Sequence, residues 1–184
     1  MMTVTEFDAW RVERPGRWEL VGGVPVAMAP ERARHNLVKS DVLIALRRAL
    51  EDGGCTVFGD GMTVVVDETT AYEPDAVVCA GGPVDLDATV VDAPTIVVEV
   101  LSPSSESNDS GRKLADYLSL RSVRHYLVVN PVRGVVTHHR RDDDGNVHTA
   151  IHRGDGVVGF DEPRARIAVS EVFASLPEGR EPRS

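Results

Sequence analysis

Eight consecutive residues, Pro94-Thr95-Ile96-Val97-Val98-Glu99-Val100-Leu101, constrain this chain more than any other stretch, because they are apolar at almost every position. A strand with one face in water alternates apolar and polar side chains, whereas a run that is apolar on both parities needs cover on both faces. That places it at the centre of a sheet with other elements packed above and below. The run also contains a contradiction. Glu99 is a carboxylate in an apolar strand, and burying a charge is costly unless it is paired or holds a cation. Glu99 therefore needs a partner.

The remaining elements read around this strand. His35, Val38, Val42, Leu46 and Ala49 recur every three or four residues and predict a helix from Glu31 to about Asp52, stopped by Gly53-Gly54. Thr5 to Val12 predicts a short helix with Thr3 or Thr5 as its cap, ended by Pro15-Gly16. RWELVGGVPVAM reads as a hairpin around Gly22-Gly23, and CTVFGD, MTVVVD and YEPDAVVCAGG read as strands. A second helix is predicted from Asp109 to Leu120 behind a segment rich in Ser, Asn and Asp caps. RHYLVVNP, RGVVTHHRR and NVHTAIHRG predict three further strands, and RARIAVSEVF a short strand and helix. The order implies an α/β fold, a central mixed sheet flanked by helices with additional β-hairpins. At 184 residues the chain fits one domain of the usual ~100–200 residues. Residues 1–176 are assigned to it and 177–184 to a polar tail.

Charge and rare residues narrow the chemistry. The net charge is −9, which repels polyanions at long range and excludes a general DNA-coating role, though not a local basic groove. Of the 20 basic residues, only Lys39 and Lys113 are lysine. Lysine is a compact ammonium whose proton affinity can be moved, unlike arginine's, so each is worth asking about. Cys55 and Cys79 form no CxxC or Cys/His cluster, and the N-terminus has no basic start followed by an apolar stretch. A reducing, cytoplasmic setting with no membrane partner is expected.

Asp75 opens one apolar strand and Glu99 interrupts another. On neighbouring strands the two would offer oxygen ligands to Mg²⁺, with the Val100 carbonyl as a third, and Mn²⁺ is the expected substitute. Lys113, fourteen residues after Glu99, could turn its ammonium to the same place and stabilise charge on a phosphate. Each residue also has a plainer role. Asp75 and Glu99 could be structural ion-paired carboxylates, and Lys113 an exposed helix lysine beside Asp109, four residues earlier. His35 could be a core histidine, and Glu19 an exposed strand residue beside Arg17 and Val21. The histidines 138, 139, 148 and 152 read as strand residues rather than a zinc site. Ser102 and Ser104 lack a nucleophile-elbow pattern, and Gly81-Gly82 is not a phosphate loop.

Pro74-Asp75, Glu99 and a following lysine resemble the PD-(D/E)XK nuclease pattern. Leu101 stands where that pattern has its lysine, so Lys113 would be the displaced lysine known as a variation of the superfamily. The chain more closely resembles the Uma-two family of restriction-endonuclease-like proteins. The landmarks are Trp18-Glu19-Leu20 with Gly23, His35, Glu73-Pro74-Asp75, Glu99-Val100-Leu101-Ser102-Pro103-Ser104, Asp109 with Lys113 and Tyr117, and His125 to Pro131. The resemblance spans about residues 5 to 175. Leu127 and Asn130 depart from the tryptophan and aspartate common in the family.

The resemblance implies a restriction-endonuclease-like fold and a Mg²⁺-dependent endonuclease hydrolysing phosphodiester bonds in DNA. Asp75, Glu99 and Val100 would hold the metal, Lys113 would orient water or phosphate, and Glu19 and His35 would support them. The acidic surface implies weak, metal-dependent engagement of DNA, and cutting both strands implies a homodimer. The competing expectations are a non-catalytic binding or regulatory module on the same fold, or a hydrolase of RNA or small phosphodiesters.

Overall fold

The structure, a computed structural model, describes residues 1–82, 84–102 and 110–177. In chain order the elements are α1 (Val4–Val12), β1 (Trp18–Val21), β2 (Val24–Ala27), α2 (Ala33–Ala49), β3 (Cys55–Gly59), β4 (Val64–Asp67), β5 (Thr70–Tyr72), β6 (Ala76–Ala80) and β7 (Pro94–Val100). They continue with α3 (Ser110–Ser119), β8 (His125–Asn130), β9 (Val135–Arg141), β10 (Val147–Arg153), β11 (Val157–Phe160), β12 (Ala165–Ala168) and α4 (Val169–Val172). The predicted cap Asp109, Pro103 and Ser104, and the tail residues 178–184 lie outside the described residues.

The doubly apolar run is β7, inside a six-stranded sheet of order β10-β9-β8-β7-β6-β3. It pairs antiparallel with β6 and parallel with β8, so the sheet is mixed. Ile96, Val98 and Val100 pack with Val38, Val42 and Leu46 of α2. Val97 packs on the other face with Val77, Tyr126 and Tyr117 of α3. Burying each such aliphatic side chain contributes about 1.5–3 kcal/mol, which fixes the strand from both sides. Glu99 shares the parity of Val97 and so meets α3.

A second sheet, β2-β1-β5-β4, lies beside the first. Trp18 and Leu20 of β1 pack under Phe7 and Trp10 of α1, which starts at a capping box between Thr3 and Glu6. Val21, on the opposite parity, joins the α3 cluster. Glu19 shares that parity and is thereby carried toward α3 rather than into solvent.

Two elements differ from expectation. YEPDAVVCAGG is not one strand: Tyr72 ends β5, and β6 starts at Ala76 after a Glu73-Pro74-Asp75 corner. Pro74 has no amide N–H to give a ladder, so the strand breaks there. β11, paired with β12, was not anticipated either. No helix among the described residues is long and apolar enough to cross a membrane.

Candidate functional site

The corner before β6 and the end of β7 create the site. Ala76 pairs with Val98, and the Asp75 amide donates to the Val98 carbonyl at 3.0 Å, which brings Asp75 level with Glu99. The Asp75 carboxylate turns back to accept from the Val100 amide at 2.7 Å. Around these two acids lie two groups of side chains, one from α3 and β1 and the other from α2 and its approach.

On the α3 side, Lys113 Nζ donates to Glu99 Oε1 and to Glu19 Oε1, each at 3.0 Å. Its side chain is 10% exposed, which excludes the surface-lysine alternative. The Tyr117 hydroxyl donates to the same Glu99 oxygen at 2.8 Å, and the Glu73 amide holds Glu19 Oε1 at 3.0 Å. Tyr72 lies under the ammonium, 4.9 Å from ring centroid to Nζ. Burial pushes the Glu99 carboxyl up to about 7; Lys113 opposes that rise, while the charges of Asp75 and Glu19 add to it. Burial alone would lower the Lys113 ammonium, but Glu99 and Glu19 outweigh it and hold it above its ordinary value.

On the α2 side, His35 Nε2 lies 2.7 Å from the Val100 carbonyl and 3.6 Å from Asp75 Oδ2. A carbonyl only accepts, so Nε2 carries a proton. Nδ1 is buried without a hydrogen-bond partner, 3.6 Å from Glu31 Oε2. Burial lowers the proton affinity of His35, yet Asp75, Val100 and Glu31 outweigh it and hold the group above its ordinary value. Burial pushes Asp75 up, but His35, the Val100 amide and Lys39 leave it below the usual carboxylate range. Lys39 Nζ lies 2.5 Å from Glu31, 2.7 Å from Asp60 and 3.2 Å from Asp75. Arg17 braces the rim, at 2.6 Å from Asp60 and 3.0 Å from Glu73.

All five sequence-predicted site residues, Glu19, His35, Asp75, Glu99 and Lys113, thus share one connected network. The expected ligand set and the donors that converge are different. Glu31, His35 and Asp75 each turn one ligand atom to within 4.8 Å of the others. Glu99 is tied instead to Lys113 and Tyr117, and the Val100 carbonyl is taken by His35. Glu31, Lys39 and Asp60 were missed. A signal for two of them lay in the sequence: Glu31, His35 and Lys39 stand four residues apart, and Lys39 is the second of two lysines. Two carboxylates suit Mg²⁺ or Mn²⁺, and an imidazole with an unpartnered buried nitrogen adds a donor, so the residues fit a divalent cation.

Comparison with known proteins gives three further findings. Residues 4–165 match the Uma2 family, described as "Putative restriction endonuclease". Two Synechocystis relatives are "Uncharacterized protein slr1290", 25% identical over 142 residues (77% of this chain, 75% of that protein), and "Uncharacterized protein sll1609", 24% identical over 147 residues (78% and 83%). Among solved structures, the crystal structure of "a putative nuclease belonging to DUF820" from Anabaena variabilis superposes with a TM-score of 0.73. That match covers 95% of this chain and 98% of the other at 15% identity.

Proposed function

The chain belongs to the Uma2 family of restriction-endonuclease-like proteins, a membership that brings a nuclease-like role, and on that premise we propose that it is a metal-dependent endonuclease hydrolysing phosphodiester bonds in DNA. One observation carries the proposal: Lys113 is buried between Glu19 and Glu99, beside an Asp75–His35–Glu31 group of converging donors. A site handling a phosphate needs a fixed cation beside a place for a second one.

Asp75, with His35 and Glu31 from the helix side and Glu99 from the sheet, would hold Mg²⁺ or Mn²⁺. Such an ion supplies Lewis acidity and lowers the pKa of a coordinated water. The chain's own groups do the rest. Lys113, kept charged by its two carboxylates, offsets negative charge that develops on the phosphate. Glu19 fixes the position of that ammonium, and Tyr117 fixes Glu99. Arg112, half-exposed and one residue before Lys113, would meet a neighbouring phosphate. The net charge of −9 leaves little counterion-release drive, so DNA engagement is weak and metal-dependent. Double-strand cutting adds a homodimer to the proposal.

The test is hydrolysis of duplex DNA, single-stranded DNA, RNA and a small phosphodiester with Mg²⁺ or Mn²⁺ by wild type, Asp75→Ala and Lys113→Ala. Metal-dependent DNA cleavage lost in both variants is the expected result. Cleavage of RNA or the small ester alone replaces the substrate, and no cleavage in any arm favours the binding-module alternative.

A further inference from the structure

Both lysines of this chain are buried at one site, and the proposed chemistry uses only Lys113. Lys39 is 7% exposed and has three carboxylate partners, Glu31 at 2.5 Å, Asp60 at 2.7 Å and Asp75 at 3.2 Å. The ammonium donates hydrogen bonds to Glu31 and Asp60, and Asp75 adds a third contact as an ion pair. Glu31 and Asp75 are also two of the three residues whose donor atoms converge. The third, His35, keeps a buried Nδ1 without a hydrogen-bond partner.

One set of carboxylates thus faces two claims. A divalent cation that draws on Glu31 and Asp75 needs oxygen atoms at about 2.0–2.2 Å, where an ammonium already shares the same groups. Two cations so close in a partly buried site repel. Asp60 offers the ammonium a place to go. It lies outside the converging set, it is 39% exposed at the rim, and Lys39 already touches it.

We propose that Lys39 is a resident counter-ion of the cation site: it holds Glu31 and Asp75 together in the metal-free protein and swings onto Asp60 when a divalent cation enters. Lys39 is a positioning residue that competes with the metal and so weakens its binding. The proposal rests on the metal site described under the proposed function and assigns that site its control element.

Mn²⁺ titrated by calorimetry into wild type, Lys39→Met, Lys39→Arg and Asp75→Asn reads the competition directly. Thermal melts with and without the ion run alongside. Lys39→Met is expected to bind Mn²⁺ about tenfold more tightly than wild type, to melt lower without the ion, and to gain more from it. Lys39→Arg, which keeps the charge, is expected to gain nothing. In wild type labelled with ¹⁵N-lysine, only two side-chain signals exist, and Mg²⁺ is expected to move the Lys39 signal as its partners change. This arm reads the wild-type protein, and Lys39→Arg serves only to assign the signal. Binding by Lys39→Met no tighter than wild type, or a Lys39 signal unmoved by saturating Mg²⁺, overturns the competitor role while leaving the metal site standing. Failure of wild type to bind Mn²⁺, or undiminished binding by Asp75→Asn, overturns the metal site itself, and Lys39's role with it.

Discussion

Replacing Lys113 with methionine keeps most of the side chain's bulk and removes one charge from between two acids. The ammonium makes two hydrogen bonds of 3.0 Å, and breaking a buried ion pair by deleting one partner costs about 3–5 kcal/mol. Two features moderate that cost. Glu19 keeps its bond from the Glu73 amide, and Glu99, already pushed up to about 7, escapes its uncompensated charge by taking a proton. Protonating it is cheap at pH 6 and costs about 1.4 kcal/mol more for each pH unit above its pKa. The expected loss is therefore about 3 kcal/mol at pH 8 and about 1 kcal/mol less at pH 6. For a domain of this size that lowers the melting temperature at pH 8 by about 6–12 °C. Urea unfolding at both pH values, together with the Glu99→Gln single and double variants, measures the loss and the coupling between the two residues. A loss below about 1 kcal/mol, the value of an exposed surface pair, or no coupling to Glu99, would mean that Lys113 is not a buried cation paired with Glu99.

Two further outcomes follow from elements away from the site. Burial lowers His125 to about 4 and His138 to about 3, from an ordinary 6.5. The unfolded chain takes up protons near 6.5 while the native state keeps both rings neutral, so their stabilisation is complete above pH 6.5 and is lost as pH falls toward 4 and then 3. Urea midpoints from pH 7 to 4 should show that decline, and His138→Gln should flatten it; an unchanged slope in the variant means that other groups set the acid limb. The outer strand β10 has one neighbour, β9, and exposes Val147 at 46% and Ile151 at 68%. An open apolar edge is a pairing surface, so light scattering is expected to give two copies for wild type and one for Ile151→Lys, and a wild-type monomer removes the dimer from the proposal.

Much of the layout was legible because it depends on local pattern. The two-parity apolar run of β7 required cover on both faces, and α2 and α3 supply it. Glu99 stood out as a charge in that run, and Lys113 as one of two lysines in an arginine-rich chain. Glu19 was harder, since a carboxylate in a short strand has the same local pattern whether it meets water or Lys113. What decides is that Trp18 and Leu20 claim the α1 side, a fact of packing. Lys39 was hidden in a similar way. The helix pattern showed the line of His35, Val38 and Val42, but Lys39's partners come from residues 31, 60 and 75, brought together only by the folded chain. The short strands β5 and β11 have too few residues to show a period, and Glu73-Pro74-Asp75 reads as strand until Pro74's missing amide is considered.

In the proposed function Asp75 and Lys113 belong to a metal-dependent phosphodiesterase site rather than to a buried salt-bridge cluster. Cleavage of supercoiled plasmid DNA with Mn²⁺, measured side by side for wild type and for Asp75→Asn and Lys113→Ala proteins shown by circular dichroism to be folded, tests it most directly. Nicking or linearisation by wild type that needs the metal and disappears in both variants is the expected result. Cleavage that persists in either folded variant, or that proceeds unchanged in a chelator, would contradict it.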